Sequence, residues 1–412
     1  MFRKKHIKIW LLVAFALETA SATYGLKITN WTALTSIIYF IAGIGVAVLI
    51  VCSHEASIQR NQSPRFSFFS SLKLLLFFVM LIVAFLIARY WFDRIPIDPD
   101  YADMLPIIKV MNERFVAGQW RHVYDTIPEI WNGTKPVYMP AMWLPYSPAV
   151  MLNIDIRWIT VICLLLIFSV FLYLLNFDRY KALPLFNLLI AVALFWWIFA
   201  DDDSHGFITL SEEGVVAFYY VVLIFAITTG DVIFIAIAAS LCMLSRYAVI
   251  GWLPAFLYYL IRIKRKRAAI AFIFTGFCCL MVMFIIPFGW RPFMQLTQLP
   301  NNYIEFARTV WKDSRESFWL SLGFAKFFGP AKTAILHTTL IIVSFVIPVV
   351  FVSVCLRLKK RINLNNIPLG ALKIAVIFFY NFIDVPYLYL FYTSSFISLI
   401  SVVILTQPKK HF

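Results

Sequence analysis

The sequence predicts an all-α integral membrane protein, and three properties of the chain lead to that prediction. The first is composition: of 412 residues, 62% are hydrophobic and 14% are charged, and the mean hydropathy is +0.83. Soluble domains are nearer to half apolar and a quarter charged. The second is a succession of apolar runs long enough to cross a bilayer, which takes about 20 residues. The third is that basic residues gather in short clusters between those runs.

About twelve runs qualify as transmembrane helices, and we expect them to form a single polytopic domain over residues 1–412. The first two would make an extra N-terminal hairpin within residues 1–71, introduced by basic residues 3–5 as an uncleaved signal anchor. The seventh and eighth runs are short, and the last two are divided near Asp384, where we expect a helix to break. The runs cover residues 9–26, 33–52, 72–91, 157–176, 183–200, 214–229, 231–245, 247–262, 268–287, 334–355, 368–385 and 386–405.

The basic clusters predict the orientation, because Lys and Arg are enriched in cytoplasmic loops. With twelve crossings, every cluster lies on one face, which we predict to be cytoplasmic. The opposite face would be the periplasmic side of a bacterial inner membrane, with a first outer loop at residues 92–156 and a late outer loop at 288–333. The clusters are Arg3 to Lys5, Arg60 and Arg65, Arg179 and Lys181, Arg262 to Arg267, Arg357 to Arg361, and Lys409 and Lys410.

Both outer loops show helical periodicity. Within residues 101–117, apolar side chains recur at a spacing of three and four, which is typical of an amphipathic helix. Residues 302–328 have a similar pattern. We therefore expect interfacial helices whose apolar faces lie on the membrane. The apolar positions of the first stripe are Met104, Ile107, Ile108, Met111 and Phe115.

Several classes of partner and site do not fit the chain. The net charge of +15 comes from clusters between apolar runs, so membrane lipid is an expected partner and nucleic acid is not. Neither GxGxxG nor GxxxxGK occurs, which argues against a glycine-rich phosphate loop. The six cysteines lack CxxC spacing, and the outer residues His122 and His205 lack metal-ligand spacing. We assign no metal, although dependence on a divalent cation stays open.

Two acidic groups fall on the outer face. Asp98, Asp100 and Asp103 follow the third run, where a carboxylate serves as a general base, binds a metal or caps an interfacial helix. The second group lies in a short loop and has two readings, a functional cluster or ordinary solvation of the loop. It contains Asp201, Asp202, Asp203, Glu212 and Glu213.

Arg246 is the most informative single cation, because it lies between two apolar runs, far from the cytoplasmic clusters. Ionisable residues at such depth are costly and are candidates for function, and the planar guanidinium suits phosphate. The alternative is that Arg246 extends to outer lipid headgroups. Arg315 in the late outer loop either contacts a substrate or forms a surface ion pair. Aromatic residues of the first outer loop, among them Trp120, Tyr138, Trp143 and Tyr146, would stack on a sugar or belong to an interfacial belt.

These features, in this order, resemble the GT-C superfamily of membrane glycosyltransferases, and most of all the bacterial mannosyltransferases that use polyprenol-phosphate sugars. The first outer loop is similar to the family's early Asp, its small loop before a Tyr, and its Tyr-Pro-Pro entry to the next helix, with Ser147 in place of the middle Pro. A Lys often stands in the family where this chain has Arg246. The stretches that carry the resemblance are Asp100-Tyr101, residues 115–125, Tyr146-Ser147-Pro148, Ser245-Arg246-Tyr247, residues 251–256, Arg262 to Arg267, and residues 317–328.

The resemblance implies a GT-C-like bundle and a donor that carries one mannose-like sugar on polyprenyl phosphate, with no other cofactor. A hydroxyl of a glycan, lipid or protein acceptor would attack the anomeric carbon, with Asp100 as general base and Asp98 as second choice. Arg246 and Arg315 would bind the donor phosphate. The substrate-binding residues would be Tyr101, Trp120, Tyr124, Tyr146, Asp202, Glu212 and Glu213.

Two other classes of membrane protein remain open. A transporter or flippase of lipid-linked glycans would show internal repeats and polar residues near the midplane, and few such features occur. An O-antigen-type polymerase or ligase would share the large outer loop and would depend on outer arginines more than on Asp100.

Overall fold

The computed structural model describes residues 4–27, 31–53, 71–131, 133–175, 182–200, 206–297 and 299–406. Over these residues the chain is helical, with no β-strand and one isolated bridge between Ile127 and Thr134. The prediction of an all-α fold is therefore confirmed. The longer helices are α1 (Lys4–Ala22), α2 (Thr32–Cys52), α3 (Ser71–Phe92), α4 (Met104–Val116), α5 (Trp158–Leu174), α6 (Ala182–Ala200), α7 (Glu213–Thr229), α8 (Val232–Met243), α9 (Trp252–Arg262), α10 (Lys266–Phe288), α11 (Trp290–Thr297), α12 (Leu299–Asp313), α13 (Thr333–Arg357), α14 (Ile367–Phe382) and α15 (Tyr392–Thr406).

Six helical segments in the described part of the chain are long and apolar enough to cross a bilayer, which indicates a membrane protein. Each of the twelve apolar runs overlaps a helix, but several of these helices are shorter than a full crossing, so twelve crossings and their orientation stay predictions. The six segments are Thr32–Cys52, Leu72–Phe92, Ala182–Ala200, Lys266–Phe288, Pro330–Arg357 and Leu388–Thr406.

The two C-terminal helices form the centre of the molecule. In α14 every side chain from Ile367 to Ile377 is buried, and in α15 only Ile404 is partly exposed. Helix α14 packs against α2, α9 and α13, whereas α15 packs against α1 and α7. By contrast few side chains of α3 and α10 are buried, and their apolar side chains are half-buried or exposed, as expected of helices that contact lipid.

The N-terminal hairpin of α1 and α2 is an integral part of this core. Lys373 of α14 forms a fully buried ion pair with Glu18 of α1, at 2.5 Å between Nζ and Oε1. Ser398 of α15 donates to the other oxygen of Glu18 at 2.6 Å. The first two helices are therefore tied to the last two by paired charge as well as by apolar packing.

The predicted interfacial helix of the first outer loop is α4, and its apolar stripe faces protein instead of lipid. Ile107, Ile108 and Met111 are buried in the main core. The reason is a polar contact: Asn112 donates to the backbone oxygen of Trp143 at 2.9 Å and accepts from the Ser147 hydroxyl at 2.6 Å.

The late outer loop also packs on itself. Its chain forms α11, α12 and the short helices Arg315–Trp319 and Ala325–Phe328. Trp311 stacks on Phe318 with ring centroids 3.8 Å apart, in a small apolar cluster that includes Val385. Asp384 follows the end of α14, as expected for a helix break, and lies 2.7 Å from His337 Nδ1 of α13.

Candidate functional site

A buried cluster of two glutamates and one arginine lies where α7 begins and α8 has ended. Glu212 precedes α7 and Glu213 is its first residue; both side chains are fully buried. Arg246 forms an ion pair with Glu212 through Nη2, and its Nε lies 2.8 Å from Glu213 Oε2. The guanidinium of Arg246 thus lies between the two carboxylates. Such a group is stable in an apolar surrounding only because its charges are paired.

The local fold explains why the two glutamates come to this point. A helix N-terminus favours negative charge, and Gly214 lets α7 approach α5 closely, since a Cβ there would lie 2.7 Å from the Thr160 methyl group. The Thr160 hydroxyl donates to the backbone oxygen of Ser211 at 3.3 Å and contacts the Tyr146 hydroxyl at 3.0 Å. Tyr146 is therefore linked through Thr160 to the backbone just before the two glutamates.

The C-terminal helices complete the cluster. Thr393 of α15 donates to Glu213 Oε1 at 2.5 Å, and the Tyr380 hydroxyl of α14 does so at 3.3 Å. Within the described residues, Glu212 Oε2 is buried and has no hydrogen-bond partner. This buried carboxylate oxygen therefore has acceptor capacity that no group of the described protein uses.

Asp103 is the outer-loop carboxylate that lies near this cluster. It is half-buried and immediately precedes α4. Burial raises the pKa of Asp103 above its usual value. A backbone hydrogen bond lowers this pKa, and the negative charge of Glu212 raises it. The Tyr389 hydroxyl contacts the Met104 sulfur at 2.9 Å, and the Arg246 guanidinium lies 5.9 Å from the centroid of the Tyr389 ring. Tyr389 thus connects the start of α4 with the arginine.

Tyr138 shares this space with the carboxylates. Burial raises the pKa of Tyr138 well above its usual value, and the charges of Asp103 and Glu212 add to the effect. Burial likewise raises the pKa of Tyr387, to which Asp103 also contributes. The outer carboxylate is therefore set among phenols, which offer hydroxyl groups and ring faces to a polar ligand.

The other two aspartates of the first outer loop form a separate surface turn. Asp98 Oδ1 accepts from the Asp100 backbone N–H at 2.9 Å, and Asp100 is exposed. Tyr101 beside them is 60% exposed. The roles predicted for Asp98, Asp100 and Tyr101 stay predictions, but the structure brings Asp103, and not these residues, to the buried cluster.

The remaining predicted site residues are dispersed. Trp120 is exposed and stacks on Phe115, with centroids 5.4 Å apart. Tyr124 is buried, and its hydroxyl accepts from Trp143 Nε1 at 3.2 Å. Arg315 is exposed on the late outer loop. The predictions at Asp202 and His205 lie outside the described residues.

Sequence reasoning missed Tyr380, Tyr389 and Thr393, because the resemblance ended near residue 330. One signal was present: the last apolar run carries hydroxyl residues that a lipid-facing helix would not need. They are Thr393, Ser394, Ser395, Ser398 and Ser401, all fully buried.

The described residues contain no group of His, Cys, Asp and Glu arranged to hold a metal ion. Comparisons with protein-family models, with curated proteins and with solved structures found no match.

Proposed function

We propose that this protein is a glycosyltransferase of the bacterial inner membrane. It moves a mannose-like sugar from polyprenyl phosphate to an acceptor hydroxyl at the periplasmic face. The observation that carries the proposal is the half-buried Asp103 beside the buried cluster of Glu212, Glu213 and Arg246. A polyprenyl chain is soluble only in the membrane, which accounts for an active site at the ends of apolar helices.

In this proposal Asp103 is the general base. Its carboxylate takes the proton of the acceptor hydroxyl while that oxygen bonds to the anomeric carbon. The bond between that carbon and the phosphate oxygen breaks, and the phosphate leaves with the electron pair. A base works best when its pKa lies near the working pH, and burial moves the pKa of Asp103 in that direction.

Arg246 would stabilise the negative charge that develops on the departing phosphate. Two carboxylates already orient its guanidinium, so it is preorganised and need not be ordered by the substrate. The unpartnered Glu212 oxygen would accept a hydrogen bond from a sugar hydroxyl. Asp100, Asp98 and Arg315 remain candidates for contacts with substrate at the entrance.

The test compares two aspartates. Purified full-length protein is mixed with a panel of polyprenyl-phosphate sugars and a membrane extract that supplies acceptors, and release of free polyprenyl phosphate is measured. We expect Asp103→Asn to lower the rate by about 10²–10⁴. The matched control, Asp313→Asn, removes an exposed carboxylate of the late outer loop and should stay within twofold of the wild type.

Asp100→Asn separates the alternatives. If it abolishes turnover and Asp103→Asn does not, the general base is Asp100 and not Asp103. Turnover of a pyrophosphate-linked glycan, with none of any monophosphate donor, would indicate a polymerase or ligase. Movement of a lipid-linked glycan across a vesicle membrane without cleavage would indicate a flippase.

A further inference from the structure

A polar cavity lies away from the carboxylate cluster, between the first outer loop and the outer end of α10. Its volume is about 490 Å³. Three basic side chains line it, Arg121, Lys135 and Arg291, together with the acidic Asp125. Asp103, Glu212 and Arg246 do not line it, so it is a separate site.

The charge of this cavity is not neutralised. Among the described residues, Arg121, Lys135 and Arg291 make no ion pair, and all three are exposed. Asp125 is partnered by His122, at 2.7 Å from Nδ1. Three positive charges therefore face one negative charge, which leaves a local excess of two.

The backbone holds this cavity in shape. Arg114 of α4 donates to the backbone oxygens of His122, Asp125 and Thr126 at 3.1, 2.7 and 3.0 Å. The antiparallel β-bridge between Ile127 and Thr134 reverses the chain direction, so that Lys135 lines the cavity. On the other side Gly289, with φ of +87°, turns the chain so that Arg291 enters the first turn of α11. A left-handed φ of this kind favours glycine.

An apolar surface leads from the bilayer to the cavity. Helix α10 exposes a row of large apolar side chains, and the last of them, Ile286, is 70% exposed and lines the cavity. A ligand at this site thus meets positive charge at one end and a lipid-facing helix at the other. The exposed row is Ile270, Ile273, Phe274, Phe277, Val282 and Ile286.

We propose that this cavity binds the headgroup of a lipid phosphate monoester, whose hydrocarbon tail lies along α10. A phosphate monoester carries about −1.5 to −2 at neutral pH, which matches the local excess of two positive charges. A phosphodiester headgroup carries one negative charge and would leave part of that excess uncompensated. The site does not require the transferase activity proposed above, and it is tested by binding alone.

The experiment measures binding of three probes to the full-length protein in zwitterionic detergent: dioleoyl phosphatidic acid, dioleoyl phosphatidylglycerol and inorganic phosphate. We expect phosphatidic acid to bind most tightly. The variant Arg121→Gln/Lys135→Gln/Arg291→Gln should weaken that binding on the order of tenfold or more, since each basic residue near a lipid phosphate contributes appreciably. The control variant Lys109→Gln/Lys312→Gln/Lys332→Gln removes three exposed charges of the outer loops and should change binding less than twofold.

Two further variants keep the proposal falsifiable if the triple variant folds poorly. Asp125→Asn removes the negative charge and should tighten binding of phosphatidic acid. Ile286→Asn should weaken binding of the lipid and leave binding of inorganic phosphate unchanged. Equal losses in both triple variants, equal binding of the two lipids, or equal binding of inorganic phosphate and lipid would each overturn the proposal.

Discussion

At the scale of single residues, Arg246 shows why an arginine and not a lysine suits this position. Its planar fork meets Glu212 with one nitrogen and Glu213 with another, whereas an ammonium group is a single point charge. Because both glutamates are fully buried, each needs a charged or hydrogen-bonding partner to offset the hydration that it loses. The ion pairs with Glu212 and Glu213 thereby fix the position of the Arg246 guanidinium in the candidate site.

Lys326 of the late outer loop is another buried cation, and its burial predicts a pH dependence of stability. Its Nζ donates to the backbone oxygen of Ser321 at 2.6 Å, and burial lowers its pKa from 10.5 to about 8. Between these two values the unfolded chain binds more protons than the folded one, so stability rises with pH through this window. Below about pH 8 the cost of burying the charge is present in full.

We therefore expect Lys326 to raise the melting temperature of the protein in detergent as the pH rises from about 8 to 10. Tryptophan fluorescence measures this temperature. The variant Lys326→Met should melt lower overall, because it removes the hydrogen bonds that Lys326 donates to the backbone oxygens of Thr32, Trp319 and Ser321. It should also lose this part of the pH dependence. Lys332→Met, an exposed neighbour, should keep it. Identical pH profiles for wild type and Lys326→Met would contradict the low pKa.

At the scale of helices, close crossings depend on small residues. At Gly251, just before α9, an added Cβ would lie 1.8 Å from the backbone oxygen of Ser344 in α13. That atom belongs to the helix backbone, so a side chain at residue 251 can be accommodated only if the two helices move apart. The short helix α9 can therefore pack against α13 only with glycine at its start.

Gly251→Ala should destabilise the protein by about 3 kcal/mol or more, toward the upper end of the usual cost of overpacking. Gly45→Ala is the matched control, because a Cβ there would meet only the Ala14 methyl group at 3.8 Å, an ordinary contact. Alanine also favours helix over glycine, so the control should be neutral or slightly stabilising. Urea unfolding in mild detergent measures both. A loss of less than about 1 kcal/mol at residue 251 would show that this crossing adapts.

At the scale of the whole molecule, the buried pair of Glu18 and Lys373 joins residues 355 positions apart. Removing one partner of a buried ion pair costs about 3–5 kcal/mol, because an uncompensated charge is left behind. Glu18→Gln should therefore destabilise the protein strongly. The double variant Glu18→Gln/Lys373→Met should recover much of that loss.

A double-mutant cycle on the unfolding free energy measures this coupling. The exposed pair of Lys109 and Glu113, at 4.0 Å on α4, is the control and should show coupling of less than about 1 kcal/mol. Additive effects of Glu18→Gln and Lys373→Met would contradict the view that the N-terminal hairpin is held to the core by this pair.

The same long-range assembly builds the candidate site. Glu213 meets Arg246 of the segment after α8, Tyr380 of α14 and Thr393 of α15. The partners of one carboxylate therefore come from positions up to 180 residues away. A displacement of any of these helices would therefore move a partner of the Glu213 carboxylate.

The sequence by itself determined the helical architecture, because the length and apolarity of a run are local properties that decide whether it becomes a membrane helix. It also placed Glu212, Glu213 and Arg246 among the candidate residues, since charged side chains between apolar segments are costly to bury and often mark a functional site. Only the tertiary structure decided that these three side chains meet, that Asp103 rather than Asp100 lies near them, and that α4 faces protein. The physical reason is that ion pairs and burial depend on distances between side chains far apart in sequence, which hydropathy and spacing do not encode.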